Sequence, residues 1–250
     1  MKKTLCILLF TAIAILSNKT QAQIKNIVLV HGAFADGSGW QKLYTILKTR
    51  GYNVSIVGNP NTGLDDDVAA TKRVLDRQDG PAILVGHSYG GAIITVAGNA
   101  PNVAGLVYVA AFAPDKGETL GQLLASYPND PLSGILPPVD GFVWYDKAKY
   151  HTGFCADLPK EEAQFMVDAQ VPIAASGFGY VFNDIAWKSK PSWYIVAKDD
   201  HSIQPDLERF MGKRTGGKVS EIKGSHVIFI SHPEEVAAVI ETAAKTASAK

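Results

Sequence analysis

Six short apolar runs punctuate the chain, at 25–31, 53–58, 82–85, 103–111, 192–197 and 217–222. Runs such as Ile27-Val28-Leu29-Val30 show no polar alternation, as expected of strands covered on both faces. Between them, apolar residues recur at helical spacing. Trp40, Leu43, Ile46 and Leu47 lead to a stop at Gly51, and Val68, Ala69, Val74 and Leu75 form a second set. A third helix starts at Gly91, a fourth runs from Gln204 to Lys213 with Pro205 in its first turn, and a last one from about Pro233 to Ala244. Strands alternating with helices predict an α/β fold with a doubly wound, mostly parallel six-stranded sheet. Ligands of such sheets sit outside the carboxyl ends of the strands.

The rhythm breaks between Phe112 and Lys190, a stretch rich in proline and aromatic residues. Helical pieces are predicted at 117–126 and 159–169, and no strand. This stretch reads as a cap of about residues 115–190, inserted over the sheet edge, whose inner face lines a substrate pocket. Phe34, Phe142, Trp144 and Phe178 are the candidates for that lining.

With 250 residues, 46% hydrophobic and 19% charged, the chain can bury one sizeable core. Residues 1–22 stand apart. Lys2 and Lys3 precede an apolar run from Leu5 to Leu16, and Thr20-Gln21-Ala22 offers small residues for cleavage, the layout of a secretory signal peptide. The apolar run is short for a membrane span, so no stable membrane insertion is expected after cleavage behind Ala22. The expected location is periplasmic or secreted, with the functional domain at 23–250. Cleavage removes Lys2, Lys3 and Lys19 from a chain of 24 basic and 24 acidic residues, leaving a net charge of −3 and no footprint for nucleic acid. Cys155 then remains as the sole cysteine, which excludes an internal disulfide. No metal-ligand spacing or cofactor motif is present. Asp65, Asp66 and Asp67 read as a solvated acidic first turn at a helix N-terminus rather than as metal ligands.

Chemistry enters at Gly86-His87-Ser88-Tyr89-Gly90. This G-x-S-x-G lies between the apolar run 82–85 and a helical pattern, the context in which it forms a nucleophile elbow. Glycines two residues either side of Ser88 allow the tight turn, and His87 should point away from the serine. A nucleophilic serine needs a base, an orienting acid and an oxyanion hole. Two later strand ends carry Asp199-Asp200-His201 and Gly224-Ser225-His226, giving the chain order Ser, Asp, His. His226 is the candidate base, ahead of His232, which sits at a helix start beyond the loop; Asp199 and Asp200 compete for the acid. The oxyanion donors expected from loop position are the backbone N–H groups of Tyr89 and of Ala33, with Phe34 as the alternative to Ala33.

Val-Leu-Val-His31-Gly32-Ala33, Gly86-His87-Ser88-Tyr89-Gly90-Gly91, Asp200-His-Ser-Ile203 and Gly224-Ser-His226 together resemble the α/β-hydrolase superfamily. Within it they resemble the small branch of plant methylesterases and hydroxynitrile lyases, with many bacterial esterase-like members. The resemblance covers essentially all of residues 23–250. It implies that the acid is Asp200, by its spacing to Ile203, although Ile203-Gln204-Pro205 carries one residue more than the branch's Ile-Pro. It implies no aspartate-nucleophile chemistry, because the elbow holds serine. It also speaks against a lyase, because Val227-Ile228-Phe229 follows His226 where lyases of the branch carry a lysine. What remains is acyl transfer to water, with a small-molecule ester as substrate. Thioesterase, amidase, perhydrolase, lyase and ligand-binding receptor are the competing readings.

Overall fold

The computed structural model describes residues 23–247; the expected signal peptide, 1–22, lies outside them. Six strands form one sheet: β1 (Asn26–Val30), β2 (Asn53–Val57), β3 (Ala82–Ser88), β4 (Val103–Ala111), and, numbered after two short cap strands, β7 (Ser192–Ala197) and β8 (Lys218–Ile222). Their order is β2-β1-β3-β4-β7-β8 and every pairing is parallel. The burial pattern explains the sequence pattern. The interior strands β1, β3, β4 and β7 are buried at every position, whereas the edge strands β2 and β8 expose residues along their length.

Helices α1 (Gln41–Thr49) and α10 (Pro233–Thr246), with the short α9 (Ile228–Ser231), cover one face of the sheet. Helices α2 (Leu64–Leu75), α3 (Tyr89–Ala97) and α8 (Pro205–Arg214) cover the other. On that second face Tyr108 and Tyr194 stack with centroids 5.8 Å apart, Tyr108 meeting Thr95 of α3 and Tyr194 lying against Gly212 of α8. Strand order reverses between β1 and β3, which places the crevice at their carboxyl ends, where the His31–Phe34 loop meets Ser88.

The cap carries α4 (Leu120–Ala125), α5 (Lys147–Phe154), α6 (Lys160–Asp168) and α7 (Ser176–Gly179). α4 starts in a capping box in which Thr119 and Gln122 satisfy each other's backbone N–H groups. Contrary to the expectation of no strand, β5 (Phe142–Val143) and β6 (Ile173–Ala174) pair antiparallel across the cap. Two-residue strands leave no periodicity for a sequence to display.

Candidate active site

Ser88 ends β3 and has φ 55°, ψ −123°, a conformation that costs about 1–3 kcal/mol for a residue with a side chain. The surrounding turn enforces it. A Cβ on Gly90 would lie 2.5 Å from the Val30 carbonyl oxygen, and one on Gly86 would lie 2.5 Å from that of Gly90. Opposite the turn, β4 slips register by one residue: His87 pairs with Val109 but Ser88 with Ala111, leaving Ala110 as a bulge with φ 44°. The strand-turn-helix predicted from G-x-S-x-G is therefore present, with Ser88 at its apex.

The other two candidates converge on that apex. His226 Nε2 lies 2.8 Å from Ser88 Oγ, and His226 Nδ1 lies 2.5 Å from Asp200 Oδ2. Asp200 and His226 are both 1% exposed. Asp200 Oδ1 accepts the backbone N–H groups of Ser202 at 2.6 Å and Ile203 at 2.9 Å, so the loop itself aims the carboxylate. An Nδ1–H donating to Asp200 leaves Nε2 to accept the serine proton. The rivals are elsewhere. Asp199 is exposed, His232 pairs with Ser231 Oγ and His201 with Asp130.

His87 points away from Ser88 and packs under the base. Its Nε2–H donates to the His226 carbonyl oxygen at 3.0 Å, with ring centroids 4.7 Å apart. Complete burial holds the His87 imidazole well below the usual histidine range, so it is a neutral support. The cap adds further grips that the sequence did not announce. Asp157 accepts Ser225 N–H at 2.9 Å and Ser225 Oγ–H at 2.5 Å, and the Phe154 ring meets the His226 imidazole edge-on at 4.9 Å. Ser202, beside the acid, donates to the Gly153 carbonyl and pairs with Tyr145 Oη. The cap partners Tyr145, Gly153, Phe154 and Asp157 belong to no motif that marks them in the sequence.

The first-strand loop touches Ser88. A Cβ on Gly32 would sit 2.7 Å from Ser88 Cβ, so only glycine admits this approach. The Phe34 N–H is committed to the Val171 carbonyl at 2.9 Å, and the Phe34 carbonyl accepts Tyr150 Oη–H at 2.7 Å. Phe34 itself has φ 60°, a left-handed conformation pinned by the cap on both sides. Ala33 N–H has no partner among the described residues, and the Tyr89 N–H is among the unpaired donors that open α3.

Asp67 differs from the expected solvated acid. It is fully buried, accepting Tyr89 Oη–H at 2.8 Å and the Asn61 N–H at 2.7 Å. Burial pushes its carboxyl up to about 6. Asp65 and Asp66 remain exposed.

An open, largely apolar cavity of about 610 Å³ lies within the cap, lined by cap residues such as Leu124, Tyr127, Ile135, Val143 and Phe178 and by none of Ser88, Asp200 and His226. Gly177, beside Phe178, packs against the Tyr89 ring. Phe142 and Trp144 are 37% and 42% exposed, whereas Val143 and Tyr145 are buried. Residues alternate along the extended segment, so the expected pair faces out and its neighbours face in. Phe34 is buried against Tyr145 and Phe154. Cys155 is buried, and that burial pushes its thiol up to about 12, so it is no competing nucleophile. Among the described residues no three His, Cys, Asp or Glu side chains gather as a metal site.

A family model described as "Alpha/beta hydrolase family" matches residues 27–239. The chain belongs to this alpha/beta hydrolase family. The match takes in the elbow and both loops that deliver Asp200 and His226. A "Carbendazim hydrolyzing esterase" from Nocardioides sp. is 32% identical over 254 residues, 85% of this chain and 96% of the relative. "Methylesterase 8" from Arabidopsis thaliana is 24% identical over 216 residues, 77% of this chain and 79% of the relative. Among solved structures, a pyrethroid hydrolase from Sphingobium faniae superposes with a TM-score of 0.75 at 26% identity, covering 89% of this chain and 98% of that one.

Proposed function

We propose that this alpha/beta hydrolase is a serine carboxylesterase cleaving small-to-medium, largely apolar esters through an acyl-enzyme on Ser88. The observation that carries the reading is the line of contacts from Ser88 Oγ through the His226 ring to Asp200, at 2.8 and 2.5 Å. His226 Nε2 takes the serine proton as Oγ attacks the ester carbonyl, and Asp200 stabilises the imidazolium. The N–H groups of Ala33 and Tyr89 receive the oxyanion. His226 then protonates the leaving alcohol, and water activated by the same ring hydrolyses the acyl-enzyme.

Relatives named as esterases support ester hydrolysis, and the clustered aromatic residues of the cap support an apolar substrate. After His226, Val227, Ile228 and Phe229 are all buried and uncharged, which disfavours lyase chemistry needing a cation beside a leaving anion. Initial rates with p-nitrophenyl esters from acetyl to palmitoyl, run beside Ser88→Ala, test the reading. It expects turnover that depends on chain length and vanishes in the variant; turnover surviving in Ser88→Ala would overturn it. The layout of residues 1–22 supports a periplasmic or secreted location. Mass spectrometry of the protein from its native host should then find an N-terminus at Gln23, and a retained Met1 would contradict export by cleavage.

A further inference from the structure

Glu208, on the inner face of α8, is fully buried at 0% exposure, and the reaction described above makes no use of it. Its Oε2 accepts the N–H of Ala197, the last residue of β7, at 3.0 Å. Its Oε1 is buried and meets no N–H or O–H donor among the described residues. The group within hydrogen-bonding reach of this carboxyl is the Asp200 carboxyl. Asp200 is supplied with donors on both oxygens: Ser202 and Ile203 N–H on Oδ1, His226 Nδ1–H on Oδ2. Two touching, buried carboxyl groups do not both ionise, so one proton must sit between them. It belongs on the group with fewer donors, and it satisfies the one oxygen otherwise unpaired.

We propose that Glu208 is a positioning residue of the active site, a neutral carboxylic acid whose Oε1–H donates to Asp200 and holds that carboxylate for His226. This rests on the triad reading of Ser88, His226 and Asp200. Burial and the facing Asp200 charge push the Glu208 carboxyl well above the usual carboxylate range. The other groups around it fit a neutral acid. Tyr194 from β7 donates its own hydroxyl to the Ala111 carbonyl, and Tyr108 from β4 pairs with Thr95. Arg209, the next residue of α8, is partly exposed and occupied by Glu221 and Asp206. The result is a relay of fixed contacts from the end of β7 through Glu208, Asp200 and His226 to Ser88. It anchors the acid without placing a second negative charge beside the imidazole.

The test compares wild type, E208Q and E208M in two readouts: pH–rate profiles with p-nitrophenyl butyrate, and the His226 imidazole titration followed by ¹⁵N NMR. Glutamine reproduces both contacts, accepting from Ala197 and donating to Asp200; methionine makes neither. E208M is expected to lose about 10- to 100-fold in kcat with little change in KM. Its acid limb should move to higher pH, because Asp200 stripped of a donor stabilises the imidazolium more. E208Q should recover the rate to within about threefold of wild type and restore the His226 midpoint. A His226 midpoint about one pH unit lower in E208Q than in wild type would mean that Glu208 is ionised, overturning the proposal. E208M with a lowered Tm but wild-type kcat and acid limb would also overturn it, reducing Glu208 to a structural role. The NMR midpoints decide the matter even if no ester is turned over, an outcome that would instead remove the esterase reading.

Discussion

The sheet and the cap solve different problems. The sheet places Ser88, Asp200 and His226 at strand ends through continuous apolar strands and one strained turn, features set by local sequence. The cap holds the loops between those residues, and it does so by single long-range contacts: Asp157 on Ser225, Tyr145 and the Gly153 carbonyl on Ser202, Tyr150 on Phe34, Phe154 on His226. The cap is thus a clamp on the loops that carry the proposed triad. A sheet defect should abolish chemistry; a cap defect should degrade its geometry in smaller steps.

The largest effect belongs to the sheet. Ser88→Ala should cost at least about 10⁴-fold in kcat while leaving Tm close to wild type, measured by initial rates and thermal unfolding. Asp200→Asn should cost about 10²- to 10⁴-fold, because asparagine can present the wrong tautomeric partner to Nδ1. The reverse ranking of Asp200→Asn and Asp199→Asn would undo the assignment of the acid.

Asp67 offers a test beneath Tyr89, the proposed oxyanion donor. Its folded-state carboxyl titrates at about 6 against an ordinary 3.8, so the folded protein binds the proton more tightly than the unfolded chain. The stability this confers is fully present below pH 4 and is lost as pH rises through 6, a change of about 3 kcal/mol. Urea unfolding of wild type and Asp67→Asn across pH 4–7 should show the variant gaining on wild type by up to that amount. Parallel curves would contradict the burial of this charge.

Among cap contacts, Tyr150→Phe removes the hydroxyl that pins the Phe34 carbonyl and should cost about 1 kcal/mol in stability, with a several-fold fall in kcat. An unchanged kcat would separate the cap from the oxyanion loop. The smallest effect expected is that of exposed Asp199→Asn, below about twofold in rate.

The same contrast explains what the sequence disclosed. Continuous apolar runs and the glycines around Ser88 announced the strands and the elbow because their cause is local. The family resemblance places the acid, through the spacing of Asp200 to Ile203, and the reason for that spacing is structural: the Ile203 N–H binds the carboxylate. The cap's two-residue strands, Asp157 and the outward orientation of Phe142 and Trp144 depend on partners distant in the chain. Asp67 looked like a solvated helix start because nothing in its own helix reveals that Tyr89 and Asn61 enclose it.

The central claim is that Ser88 is the nucleophile of this alpha/beta hydrolase. The most direct measurement is peptide mapping by mass spectrometry after reaction with a p-nitrophenyl alkylphosphonate, an ester mimic that traps an activated serine. One phosphonyl group per chain on the peptide containing Ser88, with parallel loss of esterase activity and no labelling of His226→Ala, is the result expected. Full inactivation with the label on any other residue, or turnover undiminished after stoichiometric labelling of Ser88, would contradict it.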